Sequence, residues 1–233
     1  MEIQKSLVLI SNPRIDLFWG TGFLIQFNGR LLVVTLRHVL NASGKGSFAL
    51  TNVRQTYDPP GGYKVLPIVK LYNHREDSTG TKFDICVCEA FKIPNKEYNF
   101  VPITINERMN FKEPEQGDKV SIFGYPTAHV EPAFERNMDI PLKPFEIQGV
   151  VRTDLPVLQW DRIDCKELQE AFLAQTDRDL TLPGICGGLV IHNNIPYGVV
   201  LGEAKYSISN ENHYGIVFAK FSRIMEILQT LKN

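Results

Sequence analysis

No apolar run in this chain approaches the roughly 20 residues that a membrane-spanning helix needs. The first run, LVLI at residues 7 to 10, is too short for the apolar core of a secretory signal, and it follows Glu2 and Lys5. The expectation is a soluble, cytoplasmic protein. Neither sign of charge is in excess, with 25 Lys and Arg against 26 Asp and Glu and a net charge of −1. Such a chain has no global field to attract a polyanion or an anionic lipid surface, so neither nucleic acid nor membrane is expected as a partner. Any partner must be recognised by a local site.

Cysteine is scarce. The four present are Cys86, Cys88, Cys165 and Cys186. A reducing compartment argues against structural disulfides. The CxxC spacing of soft metal sites is missing, so no metal or other cofactor is expected. Cys86 and Cys88 stand at i and i+2, which on a strand share one face, and they read as core thiols. Cys165 has no partner by pattern and reads as structural. There is no internal repeat and no low-complexity tract.

What the 233 residues do contain is 43% hydrophobic content, enough for one large or two small cores. Gly and Pro punctuate short runs of β-branched and aromatic residues, which indicates an all-β sandwich or barrel. TGFLIQF (21–27) and RLLVVTL (30–36) flank Asn28-Gly29, a strong hairpin signal. Further strands are expected at 64–72, 83–91, 119–125, 145–152 and 156–160. LVIHNNIPYGVVLG (189–202) reads as a hairpin through Asn193-Asn194, and YGIVFA (214–219) as the last strand. Phe221, Ile224, Met225, Leu228 and Leu231 recur at helical spacing behind Ser222, a fair N-cap. A second short helix could lie at 165–174. The polar stretch 106–117 follows neither period and reads as a linker between units at 1–105 and 118–233. The stretches 54–63 and 73–81 read as long exposed loops.

Three segments carry reactive groups. Thr35-Leu36-Arg37-His38-Val39 ends a strand, Phe83-Asp84-Ile85 begins one, and Gly184-Ile185-Cys186-Gly187-Gly188 is a glycine-rich turn. Together they supply an imidazole, a carboxylate and a thiol. Acyl transfer needs a nucleophile to attack a carbonyl, a base to take and return a proton, and a carboxylate to fix the imidazole tautomer. A thiol beside an imidazolium can rest as thiolate. The attacked carbonyl becomes an oxyanion, which the backbone N–H groups of Gly184 and Cys186 could hold. Gly187 and Gly188 would let the loop pass close to neighbouring chain. Each residue also has a plainer reading: His38 as a structural histidine, Asp84 as a turn residue, Cys186 as a core thiol. His74, His129, His192 and His213 read as solvated, and Trp19 and Trp160 as packing residues.

In order, His, Asp and G-x-C-G-G resemble the chymotrypsin-like clan of peptidases. GTGFLIQFNGRLLVVTLRHVL resembles the G-x-G-F strand and T-x-x-H-V motif of bacterial trypsin-like peptidases. QGDKVSIFGYP (116–126) resembles the opening strand of their second barrel. QTDRDLTLPGICGGLV resembles the approach to their nucleophile, with cysteine in place of serine, as in picornavirus-type cysteine proteases. The resemblance implies two antiparallel β-barrels with a C-terminal α-helix, and a site between them. It implies a cysteine endopeptidase with His38, Asp84 and Cys186 as catalytic residues and a peptide or protein as substrate. Thr181, Val200, Gly202 and Glu203 would contact that substrate. Val200 stands where the picornavirus-type enzymes carry a glutamine-reading histidine, which argues for a less polar pocket. Ile185 stands where secreted members of the clan pair an aspartate with a freed N-terminal amine, so no such activation is expected. The alternative is an inactive pseudo-peptidase that binds peptide by strand addition.

Overall fold

The computed structural model describes residues 3–11, 18–41, 49–51, 53–54, 66–72, 84–92, 100–127, 140–141, 143–154, 170–177, 182–208 and 211–231. Asn28 and Gly29 take φ of +47° and +78°, the left-handed pair that a tight hairpin turn requires. They join β2 (Phe18–Phe27) to β3 (Arg30–Leu36), with Phe27 opposite Arg30. β2 is long enough to serve two neighbours. Its first half pairs with β1 (Leu7–Ser11), and its second half pairs with β3. β1 also pairs with β4 (Ala49–Thr51), and the sheet continues through β6 (Leu66–Tyr72) and β7 (Ile85–Ala90) back to β3. The ring of six strands is thereby closed. β5 (Val53–Arg54) pairs with β10 (Ile140–Pro141), and β8 (Ile103–Thr104) adds to β2 in parallel.

The second barrel is closed in the order β11-β12-β15-β14-β13-β9. Its strands are β9 (Lys119–Gly124), β11 (Phe145–Arg152), β12 (Phe172–Thr176), β13 (Leu189–His192), β14 (Ile195–Ile208) and β15 (Glu211–Lys220). β11 shows the two-residue period plainly, with Ile147, Gly149 and Val151 buried between exposed Glu146, Gln148 and Val150. Asn193 and Asn194 both take positive φ at the β13–β14 turn. The interior is filled by Val120, Ile122, Ile147, Tyr197, Ile216 and Phe218 among others.

A second apolar layer lies between the barrels. Leu189, Val199, Leu201 and Val217 of the second barrel share one cluster with Phe23, Ile25 and Val33 of the first. Helix α2 (Ser222–Thr230) packs against both β7 and β15 and buries Ile224, Met225 and Leu228 in that cluster. Phe221, just before it, stacks on Phe23 at 6.1 Å and meets Phe111 in a tilted pair at 4.5 Å between ring centroids.

Two sequence expectations are corrected. The stretch 165–174 ends as strand, not helix. Phe172 to Ala174 belong to β12, where pairing to β11 and β15 outweighs the helix-forming residues before them. Ser222 does not cap α2, because the N-cap is Phe221 with no side-chain bond, and the Ser222 hydroxyl donates to Glu113 at 2.9 Å. The expected strand at 156–160, the loops at 54–63 and 73–81, and Cys165, Trp160, His74 and His129 lie outside the described residues or nearly so. No described helix is long and apolar enough to cross a membrane.

Candidate active site

Register brings the imidazole and the carboxylate together. β3 and β7 run antiparallel, and their last pair is Leu36 opposite Ile85. The next position outward sets residue 37 beside residue 84, and the Arg37 N–H donates to the Asp84 carbonyl at 2.5 Å. Helix α1 (Arg37–Asn41) starts there and turns His38 over the carboxylate. The His38 backbone N–H donates to Asp84 Oδ1 at 3.0 Å, while ring Nδ1 meets Oδ2 at 2.7 Å. Asp84 is only 5% exposed, so these bonds offset the cost of burying its carboxylate.

The Cys186 side chain also acts on the ring. With Nδ1 committed to Asp84, the thiol is left to Nε2. Burial alone would push the imidazole down. The hydrogen bonds to Asp84 and Cys186, with the electrostatic pull of both, outweigh it and raise His38 from 6.5 to about 10. The charged ring is therefore the favoured form at neutral pH.

The turn holding Cys186 runs from 182 to 188. Gly184 and Gly187 take φ of +94° and +83°. A Cβ on Gly187 would lie 2.1 Å from the Thr21 carbonyl oxygen, so no other residue fits. The Pro183 carbonyl accepts from Thr127 N–H at 2.6 Å, and the Ile185 carbonyl from Gly188 N–H at 2.9 Å. In a trans peptide the N–H points away from the C=O. Those two bonds thus turn the Gly184 and Cys186 N–H groups the other way. Among the described residues neither N–H donates a hydrogen bond within the protein.

No protein-family model matches the chain, and no curated protein matches it in sequence. Solved structures do. Kallikrein-related peptidase 10 is similar over 98% of this chain and 95% of that chain, at 12% identity and a TM-score of 0.60. Human heparin binding protein is similar over 99% and 92%, at 13% identity and 0.60. Neuropsin, a serine protease expressed in the limbic system of mouse brain, is similar over 99% and 95%, at 14% identity and 0.61. The fold is chymotrypsin-like.

Cys186 packs half-buried against the apolar layer that the two barrels share. Of the expected substrate-contacting residues, Thr181 lies outside the described residues. Val200 is fully buried in the second barrel's interior, and its N–H and C=O are bound to Gly188 and Gly187. The β14–β15 register shifts between Val200 and Gly202, a bulge in the strand. Glu203 does reach the loop, where its carboxylate accepts the Leu182 N–H at 2.6 Å. Gly202 sits at that bulge with φ +153°. Ile185 is 0% exposed and lies in the second barrel's core.

His192 is less solvated than its sequence context indicated. Its side chain is 15% exposed, and Nδ1 contacts the Lys119 carbonyl at 2.8 Å. Cys86 and Cys88 are fully buried free thiols. Sequence reasoning passed over Thr21 and Thr35. Both are buried, Thr35 Oγ1 donates to the Thr21 carbonyl at 2.8 Å, and Thr21 touches the cysteine loop. A threonine between two glycines on an otherwise apolar strand was the available signal.

Proposed function

We propose that this chain is a cysteine endopeptidase. The observation that carries the reading is the His38 ring, held by Asp84 and acted on by the Cys186 side chain, together with two undonated N–H groups in the Cys186 loop. In the reaction His38 holds the thiol proton, and the Cys186 sulfur attacks the scissile carbonyl. The carbonyl oxygen becomes an oxyanion facing the Gly184 and Cys186 N–H groups. Collapse forms a thioester on Cys186 and breaks the C–N bond, with His38 giving its proton to the leaving amine. Water, deprotonated by His38, then attacks the thioester, and the thiol is released with its proton restored. Asp84 keeps the proton on Nδ1 throughout. The substrate is a peptide or protein in extended form, and the setting is cytoplasmic.

The competing reading is a pseudo-peptidase that binds peptide without cutting it. One structural neighbour is named for heparin binding, so the fold is compatible with a binding role. The His38–Asp84 pair, with Cys186 acting on the same ring, favours the enzyme, since a binding module has no need of it. The test is cleavage of an unbiased peptide library, together with labelling by a thiol-directed active-site probe. Wild type should cleave and label, Cys186→Ala and His38→Ala should do neither, and Cys186→Ser should retain weak cleavage. Equal labelling of wild type and Cys186→Ala would overturn the assignment.

A further inference from the structure

The cysteine loop belongs to the second barrel, yet half of its carbonyl anchors come from the first. Four consecutive carbonyls, of residues 183 to 186, are all bound. Thr127 N–H and Gly188 N–H take those of Pro183 and Ile185. Thr21 takes the other two: its hydroxyl donates to the Gly184 carbonyl at 2.8 Å, and its N–H donates to the Cys186 carbonyl at 3.0 Å. The Gly184 and Cys186 carbonyls flank the peptide that carries the Cys186 N–H, so one residue fixes the planes on both sides of it. The Thr21 hydroxyl is itself fixed, because it accepts the Tyr125 N–H at 2.8 Å and Thr21 is 0% exposed.

We propose that Thr21 is a positioning residue that locks the loop with its donors facing the cleft. The inference rests on the peptidase reading and adds to it how the oxyanion site is made. An ion pair is not available to do this, because the residue before Cys186 is the buried, apolar Ile185. The lock is complete in the folded chain.

The experiment compares wild type, Thr21→Val and Thr21→Ser. It uses the library peptide that wild type cleaves best, and it maps iodoacetamide alkylation of Cys186 by mass spectrometry. Alkylation forms a bond to sulfur with loss of iodide and develops no oxyanion. Misplacing a reacting geometry by about 1 Å costs on the order of 10²-fold, so Thr21→Val should lose about that factor in kcat. KM and the alkylation rate should stay near wild type, and Thr21→Ser, which keeps the hydroxyl, should restore kcat. Melting curves establish that each variant is folded. If Thr21→Val does not fold, Thr35→Val removes the bond to the Thr21 carbonyl and should cost about tenfold in kcat with alkylation unchanged. Wild-type kcat in the valine variant, or alkylation falling in step with kcat, would overturn the positioning role alone. A wild type that neither cleaves nor labels would overturn the peptidase reading and this role with it.

Discussion

Asp84→Asn tests the site at the point where its geometry is most specific. The two carboxylate oxygens are not equivalent. Oδ1 accepts the His38 backbone N–H at 3.0 Å, and Oδ2 faces ring Nδ1 at 2.7 Å. An asparagine has one acceptor and one donor. Its oxygen must stay with the backbone N–H, so its NH2 faces Nδ1. Two donors cannot face each other, and Nδ1 gives up its proton. The neutral ring then carries hydrogen on Nε2, the nitrogen left to Cys186, and can no longer accept the thiol proton. A wrong tautomer of this kind costs about 10²- to 10⁴-fold in kcat. The pH profile should move as well. His38 is raised from 6.5 to about 10, so the imidazolium is held through neutral pH and lost as pH rises through about 10. The alkaline limb of kcat/KM should lie near there in wild type. Removing the Asp84 charge leaves burial less opposed, and the limb should fall by at least about one pH unit. Folding stability carries the same sign. A raised histidine contributes stability fully present below about 6.5 and lost toward about 10, so urea unfolding of wild type should weaken across that window more than unfolding of the variant. Initial rates from about pH 6 to about pH 11 would decide it. Wild-type rates in Asp84→Asn with an unmoved alkaline limb would refute the argument.

Two further substitutions probe the frame. Gly187→Ala forces a side chain into φ +83° with its Cβ 2.1 Å from the Thr21 carbonyl, so stability should fall by at least about 2 kcal/mol and cleavage should vanish; an unchanged melting temperature would contradict the close approach. Leu228→Ala empties a fully buried position under α2 and should cost about 2–5 kcal/mol by urea unfolding, whereas a change under about 1 kcal/mol would mean that the helix packs elsewhere.

Parts of both barrels were legible because their signals are local. Asn28-Gly29 and Asn193-Asn194 mark turns that need positive φ, and the alternation in FEIQGVVR states which face is inside. β1 was not legible as a strand. Its five residues are all buried, so LVLIS shows no alternation. The strand at β12 was hidden by helix formers upstream, which pairing on both edges overrides. The proximity of His38, Asp84 and Cys186 followed from motif order. The full burial of Val200 did not, because an apolar run such as GVVLG shows no alternation. Thr21 was hidden for another reason. Its hydroxyl acts on a carbonyl 163 residues away, and a main-chain acceptor has no side chain to announce it.

The four carbonyl anchors also say something about how the site depends on the fold. Thr127 and Gly188 belong to the second barrel's side of the cleft, and Thr21 belongs to the first barrel. The orientation of the loop peptides is therefore a measure of how the two barrels sit. That placement is held by the shared apolar layer, with Phe221 stacked on Phe23 of β2, two residues beyond Thr21. The same strand thus carries the loop's anchor and one half of the inter-barrel contact. His38 and Asp84 depend on neither, since the β3–β7 register fixes them within the first barrel. The proton-transfer half of the site is set by one barrel alone, whereas the thiol and its oxyanion donors are set by the junction. A perturbation of the junction should therefore cost oxyanion stabilisation before it disturbs the imidazole–carboxylate pair.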